Sequence, residues 1–313
     1  MVFNKRKFNV IMCFTLVLIC LAVVFSTVDV SSLQSIDDPD QSYAEPDNPN
    51  GGNDPTDPTT PTDPSDEDEI PEEDEGKFQK LNVTFTNGWV ALNYALGLLE
   101  DNDYKITFSQ QIEAKDTTFN QGGIQKINKE IYNVGGIGYV KTVADGSDIP
   151  LGMGENYTDY IVVNSSSVDY KRDGGNLTTS SIDDYLAKYG YLPNGIPYTL
   201  NMSTASLSFN IVRPKNGSAY YELNLTLNSK AWAGYLVGLE TSGGEGSNPQ
   251  MQSIVLTIRI DKDYGYITSL TATEKYTIKR GSFTANSNST VMMQFSYYGD
   301  FQSKADEIKS QLA

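Results

Sequence analysis

Apolar and polar positions divide the chain into an almost uninterrupted apolar run, a long stretch with little that is apolar, and a remainder in which the two classes alternate. In the remainder, Asn87 precedes a run in which Val90, Tyr94, Gly97 and Leu98 recur on one face, widened by Ala91, Leu92, Ala95 and Leu99. That spacing predicts an amphipathic helix capped by Asn87. From Tyr104, the residues Tyr104, Ile106, Phe108, Gln110, Ile112 and Ala114 alternate with Lys105, Thr107, Ser109, Gln111 and Glu113, which predicts a strand with one face to a core and one to water. The same alternation returns at Ala205 to Ile211 and at Ala219 to Leu227. It recurs at Ile254 to Ile260, which leads through Asp261-Lys262-Asp263-Tyr264-Gly265 into a strand from Tyr266 to Ile278, and again at Val291 to Tyr297. The fourth and fifth of these strands read as a long hairpin with a Gly-containing turn. Further helices are predicted over Ser181 to Tyr189, Ser229 to Thr241 and Phe301 to Leu312.

Strands with one apolar face need a cover, and the available covers are the first helix, the helix over Ser229 to Thr241 and the closing helix. The economical fold is therefore α+β: a large, curved, mainly antiparallel sheet wrapped around a few helices. In element order, the helix Trp89 to Glu100 running into Tyr104 to Ala114, and Ser253 to Ile260 paired with Ile267 to Ile278, the stretch from Phe85 to Tyr298 resembles the half-barrel of the LolA-like lipoprotein carriers and related envelope glycolipid-binding lipoproteins. This sequence departs from that pattern in having no lipidated cysteine and in carrying an insert, Asp183 to Pro193. The resemblance implies a concave sheet face holding an apolar or amphiphilic ligand such as a lipid, lined by Phe108, Phe209, Leu223, Leu225, Trp232, Tyr235, Leu256 and Phe295. The plainer reading of the same residues is that they meet the helices and fill the core.

The apolar run, Val10 to Val28, follows Lys5, Arg6 and Lys7. Nineteen residues at a helical rise of ~1.5 Å reach roughly 28 Å, enough to span the hydrocarbon core. Residues 1–28 thus read as a basic tip and a membrane anchor, with Lys5, Arg6 and Lys7 expected to stay cytoplasmic and everything after residue 28 outside the cell. Cleavage as a signal peptide, with Val24-Phe25-Ser26 near the processing site, would make the protein secreted instead. Ile19 and Met12 precede Cys20 and Cys13, so neither cysteine sits in a lipidation box. Residues 29–76 contain 17 Asp or Glu, no Lys or Arg and eight of the thirteen prolines. They have too little to bury to offset the entropy of folding, and read as a disordered acidic stalk. Residues 77–313 read as one exported domain, in which acidic and basic side chains nearly balance.

Composition narrows the chemistry. The chain has no histidine, which excludes a histidine-based triad or zinc site, and its two cysteines lie in the apolar run. With a net charge of -17 and no basic stripe, nucleic acid is not an expected partner. No cofactor or metal motif is present; Asp261-x-Asp263-x-Gly265 lacks the other ligands of a calcium loop and reads as a turn. Glu274 shares the parity of Leu270, Ala272, Tyr276 and Ile278, so alternation points a carboxylate inward, where it is either paired or available to hold a ligand. Tyr185, Tyr189, Tyr191 and Tyr198 cluster around the insert and form a candidate surface for a protein or glycan. Eight Asn-x-Ser/Thr sequons, at Asn82, Asn156, Asn164, Asn176, Asn201, Asn216, Asn224 and Asn288, suit a secreted surface. The leading expectation is a non-catalytic envelope or surface protein that binds an amphiphile between sheet and helices. The alternatives are a surface interaction module with a solid core and, behind it, a hydrolase using carboxylates alone.

Overall fold

The computed structural model describes residues 78–117, 122–147, 156–242, 247–280 and 283–313. The expected membrane segment over 1–28 and stalk over 29–76 lie outside the described residues. Among those residues no helix is long and apolar enough to cross a membrane.

Helix α1, Gly88–Asp101, starts where Asn87 accepts hydrogen bonds from the backbone N–H of Trp89 and Val90 at 2.8 and 3.4 Å. Six strands then form a meander: β1 Tyr104–Asp116, β2 Gly122–Val134, β3 Ile137–Asp145, β4 Tyr157–Val163, β5 Ser167–Arg172 and β6 Thr178–Ser181. Helix α2, Ile182–Tyr189, and an irregular segment lead to β7 Ala205–Val212 and β8 Tyr220–Leu227. Helix α3, Ala233–Ser242, precedes β9 Ser247–Asp261, β10 Ile267–Arg280 and β11 Phe283–Ser296, and α4, Phe301–Ser310, closes the chain. All eleven strands belong to one antiparallel sheet in the order β6-β5-β4-β3-β2-β1-β11-β10-β9-β8-β7. Each strand pairs with its neighbours in sequence, β1 and β11 join the two halves, and the sheet is open between β6 and β7. It is therefore an up-and-down arrangement with one seam, and α2 lies in the connection that crosses it.

The inner face carries one core. Val163 and Val168 from one end of the sheet and Leu223 and Leu225 from the other belong to the same buried cluster. Helices α2 and α3 meet over this face at two glycines: a Cβ at Gly190 would collide with the carbonyl of Gly234, and the reverse. Gly190 also ends α2 in the left-handed region (φ 76°), its N–H donating to the Leu186 carbonyl.

Two expectations change. Helix α1 buries Ala91, Leu92 and Ala95, whereas Val90 is 49% and Tyr94 39% exposed. Gly88 abuts Leu207 and Phe209, and the small-residue face lets the helix sit close to β7 and β8. Helix α4 covers the opposite face of the sheet, packing Phe301, Ala305 and Ile308 on Tyr132, Tyr139 and Val162 of β2 to β4. The strands β2 to β6 lie where no alternation was read. One local signal marks the first of their hairpins: Gly135 and Gly136, both at positive φ (57° and 76°), form the two-residue turn between β2 and β3.

Candidate functional site

Glu274, on β10, points inward as its parity predicts and has no exposure. Its carboxylate accepts hydrogen bonds from the hydroxyls of Tyr198 and Tyr235, the latter at 3.0 Å, and from Gln110 Nε2 at 3.4 Å. Ser289, its register partner on β11, is also bonded to it. Gln110 Nε2 in turn reaches Ser289 Oγ at 2.9 Å and Tyr235 Oη at 3.1 Å. Burial raises the Glu274 carboxyl above its ordinary range, opposed by the hydrogen bonds from Tyr198, Ser289, Tyr235 and Gln110. Burial, reinforced by Glu274, holds the hydroxyls of Tyr198 and Tyr235 well above the normal tyrosine range, so both remain donors at neutral pH. Two residues along the strand, Tyr276 faces Ser287 in register, and among the described residues neither buried hydroxyl has a hydrogen-bond partner. The polar tract thus continues past Glu274 into the sheet interior.

A second polar row crosses the other half of the same face. Arg172, Asp159, Thr142, Lys129 and Phe108 are successive register partners from β5 to β1, so their side chains share one side of the sheet. Arg172 holds Asp159 with two hydrogen bonds, Nε to Oδ1 at 2.8 Å and Nη2 to Oδ2 at 3.0 Å. Lys129 is different. Its ammonium lies 5.0 Å from the centre of the Phe108 ring, and among the described residues it forms no ion pair. Burial lowers it to about 8, against the opposing effect of Asp159.

The two polar groups meet at a pocket on the inner face. Phe108, Ile131 and Val291 form its sheet wall; Tyr191, Pro193, Pro197 and Tyr198 of the segment after α2, with Tyr235 of α3, form the other. Gln110, Lys129 and Gly195 complete it. Its free volume is ≈ 340 Å³, the solvent at its mouth included, and its enclosed part has room for about one water molecule. Apolar walls with a few converging polar groups are the ordinary makeup of a small-molecule site.

Of the residues expected to line a ligand cavity, the structure brings Phe108 and Tyr235 to this pocket and Glu274 directly behind it. Leu223, Leu225 and Leu256 have no exposure and, with Trp232, are core; Phe209 and Phe295 pack against that core. The expected lining is therefore mostly solid packing. Of the four tyrosines read as a surface patch, Tyr185 and Tyr189 are half-buried with their ring centres 4.5 Å apart and the rings tilted by 37°, while Tyr191 is a pocket wall. Tyr198 is not on the surface: it is 5% exposed, packed edge-on against Tyr235. No sequence period marks the segment that carries it, which is why its burial was not legible. Lys129, Asp159 and Arg172 were missed with their strands. Charged residues at inward parity across a two-glycine hairpin are the signal that would have found Lys129. The Asp261 side chain is used by its turn, accepting from the N–H of Asp263 and of Tyr264, each at 2.8 Å. Glu274 has Ser289 and Ile254, not a second carboxylate, as its direct neighbours in register, so the paired acids that glycoside hydrolysis requires are not assembled around it. Among the described residues no cluster of acidic or cysteine side chains is placed to hold a metal ion.

No protein-family model matches the chain. No curated protein is similar to it in sequence. Among solved structures, the chain is similar to the ywiB protein from Bacillus subtilis, at 10% identity over 62% of this chain and 93% of that one, with a TM-score of 0.20. It is similar to Rv2717c from M. tuberculosis at 9% identity over 65% and 97%, with a TM-score of 0.20. It is also similar to a DUF1329 family protein from Desulfovibrio piger at 10% identity over 66% and 90%, with a TM-score of 0.23. At such TM-scores these likenesses carry no argument, and the functional reading stands on the site itself.

Proposed function

We propose that this chain is a non-catalytic ligand-binding protein of the cell envelope, holding the polar end of a small amphiphile in the pocket between β1, β2, β11 and the segment after α2, with the apolar body of the ligand in the open mouth. The N-terminal apolar run would hold it at the membrane, or direct its secretion if cleaved, with the sheet domain outside. The observation that carries this reading is the pocket: apolar walls from Phe108, Ile131, Pro193 and Pro197 close on the polar groups of Gln110, Lys129 and Tyr235. The solid packing of Leu223, Leu225 and Leu256 favours a compact ligand over a long acyl chain lying along the whole sheet. This retains the carrier-like idea of a concave binding face and reduces its scale. The half-barrel lipoprotein carriers remain the architectural analogy for that face.

Gly195 provides the test, because a Cβ there meets nothing within 4 Å and a larger side chain can occupy the pocket without a clash at its root. Binding of phenylbutanol to the full-length chain in lipid nanodiscs should saturate at one site and be lost in Gly195→Leu, with the thermal transition unchanged. Equal uptake by both proteins, or uptake by neither, would defeat the proposal.

A further inference from the structure

We infer that the ligand carries a single negative charge, a carboxylate, and that Lys129 is the group that meets it; this rests on the pocket reading above. The carboxylates nearest the pocket are engaged elsewhere. Asp159 is held by Arg172 through two hydrogen bonds, and Glu274 is enclosed by Tyr198, Tyr235, Gln110 and Ser289. Lys129 lines the pocket with its ammonium over the Phe108 ring and no carboxylate in ion-pair range among the described residues. Lys129 is half-buried, and a partly desolvated cation without a counterion favours an anion that reaches it. The pocket also offers the Tyr191 hydroxyl as a neutral donor, which burial raises to about 12 and so keeps protonated.

The charge of the ligand follows from the neighbours. Arg172 is already committed to Asp159, so among the described residues Lys129 is the one cation of the pocket lining; it matches a monoanion and leaves a doubly charged phosphate half compensated, with Glu274 behind the pocket. The apolar walls then select a carboxylate with a compact apolar body. The titratable and charged groups around Lys129 on this face are its neighbour in the row Asp159 on β4, Tyr170 and Arg172 on β5 and Tyr185 on α2 beside Asp159, with Tyr191, Tyr198 and Tyr235 across the pocket and Glu274 behind them. Burial keeps these tyrosines protonated between about pH 7 and pH 9, whereas Lys129 loses its charge in that range.

The test measures binding of phenylbutanoate, phenylbutanol and phenylbutyl phosphate to the full-length chain in lipid nanodiscs by calorimetry, with empty nanodiscs as reference. Wild type should bind the carboxylate about tenfold or more tighter than the alcohol near pH 7, and the phosphate no tighter than the carboxylate. Its carboxylate affinity should fall about tenfold by pH 9, following the charged fraction of Lys129. Lys129→Met should erase the preference and keep alcohol binding, and Lys129→Arg should keep the preference at both pH values. Equal binding of carboxylate and alcohol by wild type, a preference that survives Lys129→Met, or tighter phosphate binding would overturn the inference while leaving the pocket standing. Failure to bind any of the three would remove the pocket reading and this inference with it. If Lys129→Met loses the alcohol as well, the pH profile of Lys129→Arg decides: the same loss at pH 9 as in wild type would refute the role of Lys129.

Discussion

Replacing Glu274 by leucine keeps the side-chain size roughly constant and removes the acceptor around which the inner polar group is built. Tyr198 Oη then has no partner, and Tyr235 Oη keeps only the bond it accepts from Gln110 Nε2 at 3.1 Å. Gln110 retains Ser289 Oγ at 2.9 Å. The hydroxyl donors of Tyr198 and Tyr235, each 5% exposed, and of Ser289, 1% exposed, are thus stranded. Each stranded donor costs about 1–3 kcal/mol, and relief of the buried carboxylate offsets part of the sum, so Glu274→Leu should lose about 2–4 kcal/mol at neutral pH. Adding Tyr198→Phe and Tyr235→Phe removes two of the three donors and should recover about 1 kcal/mol or more of the loss, with Ser289 and Gln110 left bonded to each other. Guanidinium unfolding of the full-length chain, followed by the fluorescence of Trp89 and Trp232, measures both. A single variant losing less than about 0.5 kcal/mol, or a triple variant less stable than the single one, would show that Glu274 is not what those hydroxyls depend on.

Three further outcomes follow from the same coordinates. Because burial raises the Glu274 carboxyl above its unfolded value of 4.5, the folded state binds the proton more tightly; its contribution is full below 4.5 and is lost as pH rises through the folded value. The stability of wild type relative to Glu274→Gln should therefore decline with rising pH above about 4.5, and an increase would contradict the assignment. Tyr276→Phe removes a buried hydroxyl that has no partner among the described residues, and should leave unfolding within about 0.5 kcal/mol of wild type or raise stability; a loss above about 1.5 kcal/mol would mean the hydroxyl is bonded. Gly234→Ala places a methyl group against the Gly190 carbonyl and should cost about 1–3 kcal/mol, together with the near-ultraviolet circular dichroism of the tyrosines packed between α2 and α3. An unchanged spectrum and midpoint would show that the two helices do not cross at those glycines.

What the sequence made legible follows the strength of its alternation. Strands β1 and β7 to β11 place apolar residues at nearly every inward position, from Ile106 and Phe108 to Leu223, Leu225 and Leu256, so period two stands out. Strands β2 to β5 put Lys129, Thr142, Asp159 and Arg172 inward instead, and the polar row that makes this half of the face chemically distinctive is what hid it. Glu274 was readable because it interrupts an otherwise apolar parity. Its partners were not, since Tyr198 sits in an irregular segment and Tyr235 on a helix whose apolar residues go nearly all round. The face of α1 was misjudged for a related reason: periodicity gives the large side chains weight, whereas Gly88, Ala91 and Ala95 permit the closest approach to β7 and β8.

The central proposal is that, among the described residues, the small pocket beside Lys129 takes a ligand while Leu223, Leu225 and Leu256 are solid packing. Native mass spectrometry of the full-length chain purified from its own host, followed by denaturing extraction, tests it most directly. The account predicts one small organic acid per chain in wild type and none in Gly195→Leu. An acyl lipid held in stoichiometric amount by both proteins, or an empty wild-type chain that also fails to take up phenylbutanoate, would contradict it.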